Sequence, residues 1–373
     1  MQRYEIITNF AHMRESVRSI EAISLCFTAG VVTGTVLFPG TGVLLPALLL
    51  PVLALPCLFR SRLLGAPEPV SAGIILLTFL LAGIFAARSA ALPAASTIGP
   101  IERLADGAAQ SLRSVIGSLP FPSGETAPLL SAFLTGDRSG LTPQLTALFR
   151  DSGASHLLAL SGLHMGILYL VFDAFTKPLG HTPEARRLRF VLLTAGTGFF
   201  TLMTGAGPSV VRAFLFITIS ETLRLKQRPR SSARVYCMAL LIQLVLDPSV
   251  IGSLGFQLSY LAMAGIFLVY PVLERWYPEG SRYNPLRWLW NTAALSISCQ
   301  LFTAPLVWMR FHTFPRLFLL TNLLVLPLMS ALMITAVLTV GLAAIGLPWQ
   351  PLITTTDGLC RLLRWILEII CGV

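Results

Sequence analysis

About ten runs of this sequence are apolar over lengths that approach or match the width of a bilayer, and they leave few folds open. They are Ala22–Phe38, Thr41–Phe59, Val70–Leu92, Gly153–Phe172, Leu188–Thr204, Pro208–Leu223, Val235–Leu246, Ile251–Tyr270, Leu289–Met309 and Leu317–Ile345. A spanning helix needs about 20 such residues. The expected fold is therefore all-α, a polytopic transmembrane bundle of about ten spans. Val235–Leu246 is short enough to be tilted or re-entrant, and Pro327 interrupts Leu317–Ile345, which can form two pieces. Charge agrees: 12% of residues are charged and 54% are apolar, where soluble chains carry about 25% charge.

The net charge of +10 invites a nucleic-acid reading until the basic residues are counted by loop. One set of alternate loops, beginning with Arg3, Arg14 and Arg18, holds 17 Lys and Arg, and the other holds 7. The positive-inside rule places the first set, and the N-terminus, in the cytoplasm. That bias accounts for the high isoelectric point, which is then weak evidence for DNA. The first apolar run reads as a retained signal anchor. The six cysteines are scattered among apolar segments with no CxxC or Cys/His cluster, so neither a disulfide framework nor a metal site is expected. No cofactor-binding motif is present either.

Three regions follow: a three-span stretch over 1–93, an outward-facing amphipathic linker region over 94–152, and a core over 153–373. In the linker region the Pro/Gly/Ser-rich Leu119–Gly124 separates two short amphipathic helices. At the other end Asp357, Arg361, Arg364 and Glu368 recur at spacings of four, three and four. They form one polar stripe on a helix that either lies in the interface or lines a wet cavity.

Function is sought where polar groups enter apolar runs, because they are costly there. Gly153–Gly166 carries His156, Ser161 and His164. On one continuous helix Ser161 and His164 share a face, and His156 lies about 80° around from His164. Ser161-Gly162 is a place for a kink, and Gly162 and Gly166 allow close helix contact. A second site is Met203-Thr-Gly-Ala-Gly-Pro-Ser-Val-Val-Arg212, where Pro208 starts a helix and Arg212 falls near its first turn. A cation near the positive end of a helix dipole makes sense where an anion binds. Gln257, Ser259 and Asn322 also need partners inside apolar runs, and Phe200, Phe256 and Tyr260 are candidate stacking surfaces. A Ser–His pair raises intramembrane hydrolysis, but that mechanism needs an oxyanion hole and is usually assembled from separate helices, whereas a same-helix pair points both side chains outward side by side. The chain is not expected to be an enzyme.

Several blocks resemble the ComEC-type competence proteins: Gly136-Asp-Arg138, Phe149 to Gly166, Gly207-Pro-Ser-Val-Val-Arg-Ala213, Gly255-Phe-Gln-Leu-Ser-Tyr260 and Thr321-Asn-Leu-Leu-Val-Leu-Pro327. The resemblance implies a multi-pass channel in the bacterial inner membrane that admits single-stranded DNA during natural transformation. It places His156, Ser161, His164 and Arg212 on motif positions. On this resemblance the chain is expected to lack the family's oligonucleotide-binding-like and metallo-β-lactamase-like domains. A DNA receptor, a separate nuclease and a cytoplasmic motor ATPase are therefore the partners it implies. The other reading of the same residues is a channel or transporter for a smaller anionic solute.

Overall fold

The computed structural model describes residues 20–36, 77–87, 99–180, 182–229, 231–277, 285–312 and 317–372. The expected run Thr41–Phe59 lies outside them. The described residues are mostly helical, with no strand among them, as the all-α expectation requires. Among the described residues three helices are long and apolar enough to cross a membrane, Leu254–Glu274, Pro285–Phe311 and Phe318–Ala344. The count of about ten spans does not emerge from the described residues. Contacts divide the chain into two compact units, one drawn from residues 1–97 and 215–257, the other from 98–214 and 258–373.

In the first unit α1 (Ile20–Val36) and α2 (Leu77–Ala87) cross where both carry glycine. A Cβ on Gly30 would lie 2.0 Å from the Leu80 carbonyl oxygen, and one on Gly83 would lie 2.2 Å from that of Phe27. Only glycine permits that approach, the small-residue packing that holds helices together in lipid. Ser24 Oγ donates to the Cys237 carbonyl at 3.0 Å, joining α1 to α10 (Ser232–Leu246). After α10 the Asp247-Pro248 pair starts a short 3-10 turn, with Asp247 Oδ1 accepting from the Ser249 N–H and hydroxyl.

The second unit holds the larger core. Its helices are α3 (Pro100–Ser118), α4 (Thr126–Thr135), α5 (Pro143–Asp151), α6 (Ser155–Leu158), α7 (Gly162–Thr176) and α8 (Pro183–Met203). Later in the chain come α13 (Pro285–Phe311), α14 (Phe318–Ala344) and α15 (Gln350–Cys371). Two further helices, α9 (Pro208–Leu225) and α11 (Leu254–Leu268), contribute turns to both units, and α12 (Tyr270–Glu274) follows α11. Local chemistry sets several starts. Thr142 and Thr182 each precede a proline, and each hydroxyl accepts an N–H three residues on, from Leu145 and Ala185. That satisfies one orphan donor while proline fills the first helical position.

The stretch read from sequence as an outward linker is deeply packed. Leu130, Phe133 and Phe149 are at most 1% exposed and share one core with Met329, Leu332 and Met333 of α14 and with Ile353, Leu363 and Leu367 of α15. Three helices fill the region rather than two, and Leu119–Gly124 is the connection between α3 and α4. Pro327 does not divide α14, which runs unbroken from Phe318 to Ala344. Packing along its length against α15, α13, α7 and α3 outweighs the local cost of a helical proline, about 3 kcal/mol.

Candidate functional site

The continuous helix expected over Gly153–Phe172 is broken in two. Helix α6 stops at Leu158, Ala159 turns extended (φ −75°, ψ 128°), and Ser161 stays extended (φ −124°, ψ 172°) before α7 begins at Gly162. The kink foreseen at Ser161-Gly162 is thus a helix start. Ser161 caps it, its hydroxyl accepting from the Leu163 N–H at 3.3 Å.

His164 completes this cap from the third helical position. The Ser161 N–H donates to His164 Nδ1 at 3.3 Å, and Ser161 Oγ lies 3.1 Å from the same nitrogen. An acceptor at Nδ1 makes the imidazole neutral with its proton on Nε2. The ring is 1% exposed and tilts over Phe133 with centroids 5.8 Å apart. Nε2 is buried and meets no hydrogen-bond partner among the described residues. A buried donor left without a partner costs about 1–3 kcal/mol.

Arg212 reaches this helix start from α9. The turn Thr204–Gly207 takes the chain from α8 into α9, with Gly205 and Ala206 both at positive φ (77° and 49°). Arg212 is 8% exposed. A Cβ on Gly162 would lie 3.2 Å from Arg212 Nη2, so the guanidinium rests on the first residue of α7. Its Nη1 donates to the Ser259 carbonyl at 2.7 Å, and its carbon centre sits 5.9 Å from the middle of the Tyr260 ring. The structure therefore brings Ser161, His164, Arg212 and Ser259 together from three segments. It also sets a guanidinium against the positive end of α7, where fixed positive potential accumulates and an anion is favoured.

The remaining expected residues stand elsewhere. His156 is exposed on α6, with Nδ1 3.2 Å from the Gly153 carbonyl. Gln257 Nε2 donates to the Ile251 carbonyl at 2.8 Å within the first unit. Asn322 lies in the first turns of α14 with Oδ1 buried and without a hydrogen-bond partner among the described residues. Its neighbour Thr321 donates to the Ser152 carbonyl at 2.7 Å. Phe200 and Phe256 are buried, and Tyr260 is covered by Arg212. No group of three or more His, Cys, Asp or Glu is placed to hold a metal among the described residues.

With this geometry in hand, comparison with known proteins is informative. Residues 133–372, from α4 through α15, match the family described as Competence protein. The chain belongs to the competence protein family. It is 27% identical over 205 residues to ComE operon protein 3 of Bacillus subtilis (54% of this chain, 25% of the relative). It is 31% identical over 175 residues to Competence protein ComA of Neisseria gonorrhoeae (45% and 25%). Recombination protein 2 of Haemophilus influenzae is 25% identical over 227 residues (56% and 28%). The chain thus spans about a quarter of the length of these curated relatives. No solved structure matches.

Within this competence-family region, sequence reasoning missed two contacts. Phe133 supplies the face on which His164 packs, and Gly136 ends α4 at φ 81°, with Leu160 against the position a Cβ would take. The signal for the second was present, since a lone glycine after an apolar helix marks a left-handed cap. Nothing in the sequence pointed to Phe133.

Proposed function

We propose that this chain forms part of the path by which single-stranded DNA crosses the bacterial inner membrane during natural transformation, with its N-terminus in the cytoplasm. Membership of the competence family and the names of its relatives support the DNA reading. The observation that carries it is Arg212, a buried guanidinium held by the Ser259 carbonyl against the start of α7. A strand bearing one charge per nucleotide needs a wet path lined by donors. Arg212, resting on the first residue of α7, supplies such donors. A DNA receptor would deliver the strand, a separate nuclease would degrade its complement, and a cytoplasmic motor ATPase would supply the work.

The test is uptake of labelled DNA in a deletion strain. Wild type restores it and Arg212→Ala does not, while Arg212→Lys, which keeps the charge but loses the fork of donors, restores it in part. Normal uptake in the deletion strain overturns the proposal. Uptake of a small anion, with DNA uptake unchanged, points to the solute-channel reading of the same site. The Ser161–His164 contact is also the geometry a hydrolase would need, but Ser161 Oγ already serves as the cap of α7. Labelling of Ser161 by a serine-reactive probe would favour catalysis instead.

A further inference from the structure

The polar stripe of α15 does not lie on a surface apart from the bundle. Thr356 near its start meets Thr339 of α14 at 2.9 Å between hydroxyl oxygens. Near its other end Cys371 Sγ lies 3.7 Å from the Leu148 carbonyl, and Ser152 just beyond is tied to Thr321 of α14. Helix α15 therefore runs back along α14, covering roughly 22 Å at 1.5 Å per residue.

Three faces result. Ile353, Cys360, Leu363 and Leu367 enter the core. Leu362, Trp365 and Ile369 are 42%, 55% and 56% exposed, an outer apolar face. Between them runs the charged stripe, opposite the start of α4. Asp357, fully buried, accepts from the Ser123 N–H at 3.1 Å and the Thr126 hydroxyl at 2.6 Å, and Arg361 Nε lies 3.1 Å away. Arg364 donates to Glu125 at 2.5 Å and to Glu368 at 2.7 Å. A cavity of about 260 Å³ opens here, with Arg361, Arg364 and Trp365 on one wall and Ser123, Glu125 and Thr126 on the other.

We propose that this groove is a second contact for the phosphate backbone of a single-stranded polynucleotide, separate from Arg212 and resting on the DNA reading above. At rest each guanidinium is held by a carboxylate. A phosphodiester can replace Glu125 or Glu368 on Arg364, exchanging one charge-assisted pair for another. The carboxylates left beside it weaken the grip, which suits a strand that must move on. Trp365 offers a face on which a base of any identity can stack.

The experiment uses the full chain in nanodiscs of zwitterionic lipid, titrated with a fluorescent single-stranded oligonucleotide of mixed sequence at several salt concentrations. Arg361→Ala with Arg364→Ala should weaken binding at least tenfold at low salt. It should also flatten the salt dependence by about 0.7 in log–log slope for each phosphate that is no longer neutralised. Glu125→Gln, which frees Arg364 of one acidic partner, should tighten binding severalfold even if the double variant fails to fold. Binding by wild type that Glu125→Gln leaves unchanged or weakens overturns the groove and leaves Arg212 standing. Absence of oligonucleotide binding by wild type at every salt overturns both. If Glu125→Gln enhances capture of anionic lipid but not of the oligonucleotide, the groove is a headgroup site and the proposal fails.

Discussion

The backbone N–H and side-chain oxygen of Ser161 both face Nδ1 of His164, at 3.3 and 3.1 Å, so one residue caps a helix and sets the tautomer of a buried histidine. Ser161→Ala removes the cap and one of the two groups holding Nδ1. The expected loss is about 1 kcal/mol, read as a lower melting temperature of the detergent-purified protein. Ser161→Asn, another good cap, should recover most of it. A variant Ser161→Ala as stable as wild type would show that the cap is dispensable.

Gly162 governs where Arg212 can rest. A Cβ there stands 3.2 Å from Nη2, and the guanidinium cannot simply swing clear because Nη1 is bonded to the Ser259 carbonyl. Gly162→Ala should lower DNA uptake in part and Gly162→Val should nearly abolish it, both with the chain still inserted. Uptake by the valine variant at the wild-type rate would show that the position of Arg212 is irrelevant.

Asp357 should be a strong point of stability rather than of transport. Leucine there would strand the Ser123 N–H, the Thr126 hydroxyl and the Arg361 side chain. Hydrogen bonds to a buried charge contribute about 1.5–3 kcal/mol each. Arg361 is 66% exposed, so its share is smaller. Asp357→Leu should therefore unfold much more readily than Thr126→Val, measured by limited proteolysis and thermal melting. Equal stability of the two would contradict this.

Asp137 gives a pH signature in the loop after α4. Hydrogen bonds from the Ser139 side chain and backbone, then from Arg113, hold its carboxyl below the usual carboxylate range. A carboxyl depressed in the folded state stabilises above its unfolded pKa, near 3.9, and loses that contribution as pH falls through the lower folded value. Melting curves of wild type and Asp137→Asn should therefore differ at pH 5 and converge as pH falls through the depressed folded value. Parallel curves across that range would rule the effect out.

What is legible in the chain alone is mostly local. Thr-Pro starts, the glycine after α4 and the charge stripe of α15 all declare themselves within a few residues. The helix start at Gly162 is half legible: a kink is expected at Ser161, but the extended backbone from Ala159 to Ser161 depends on what packs around it. The pairing of Arg212 with Ser259 joins residues 47 apart and leaves no local trace. The burial of α4 escapes the sequence for a related reason. Its flanks carry the proline, glycine and charge of a loop, and the partners that bury Phe133 and Leu130 lie far along the chain.

That separation bears on how the protein is made. Glu125 and Arg364, which close the groove beside the core, stand 239 residues apart. At about 5–20 residues per second, α4 leaves the ribosome on the order of ten to fifty seconds before α15 exists to cover it. During that interval Leu130 and Phe133 have part of their core but not its lid. The nascent chain must therefore be sheltered by lipid or by the insertion machinery until α15 docks. Slowing synthesis between α14 and α15 should expose α4 to proteolysis, a vulnerability of biogenesis rather than of the finished protein.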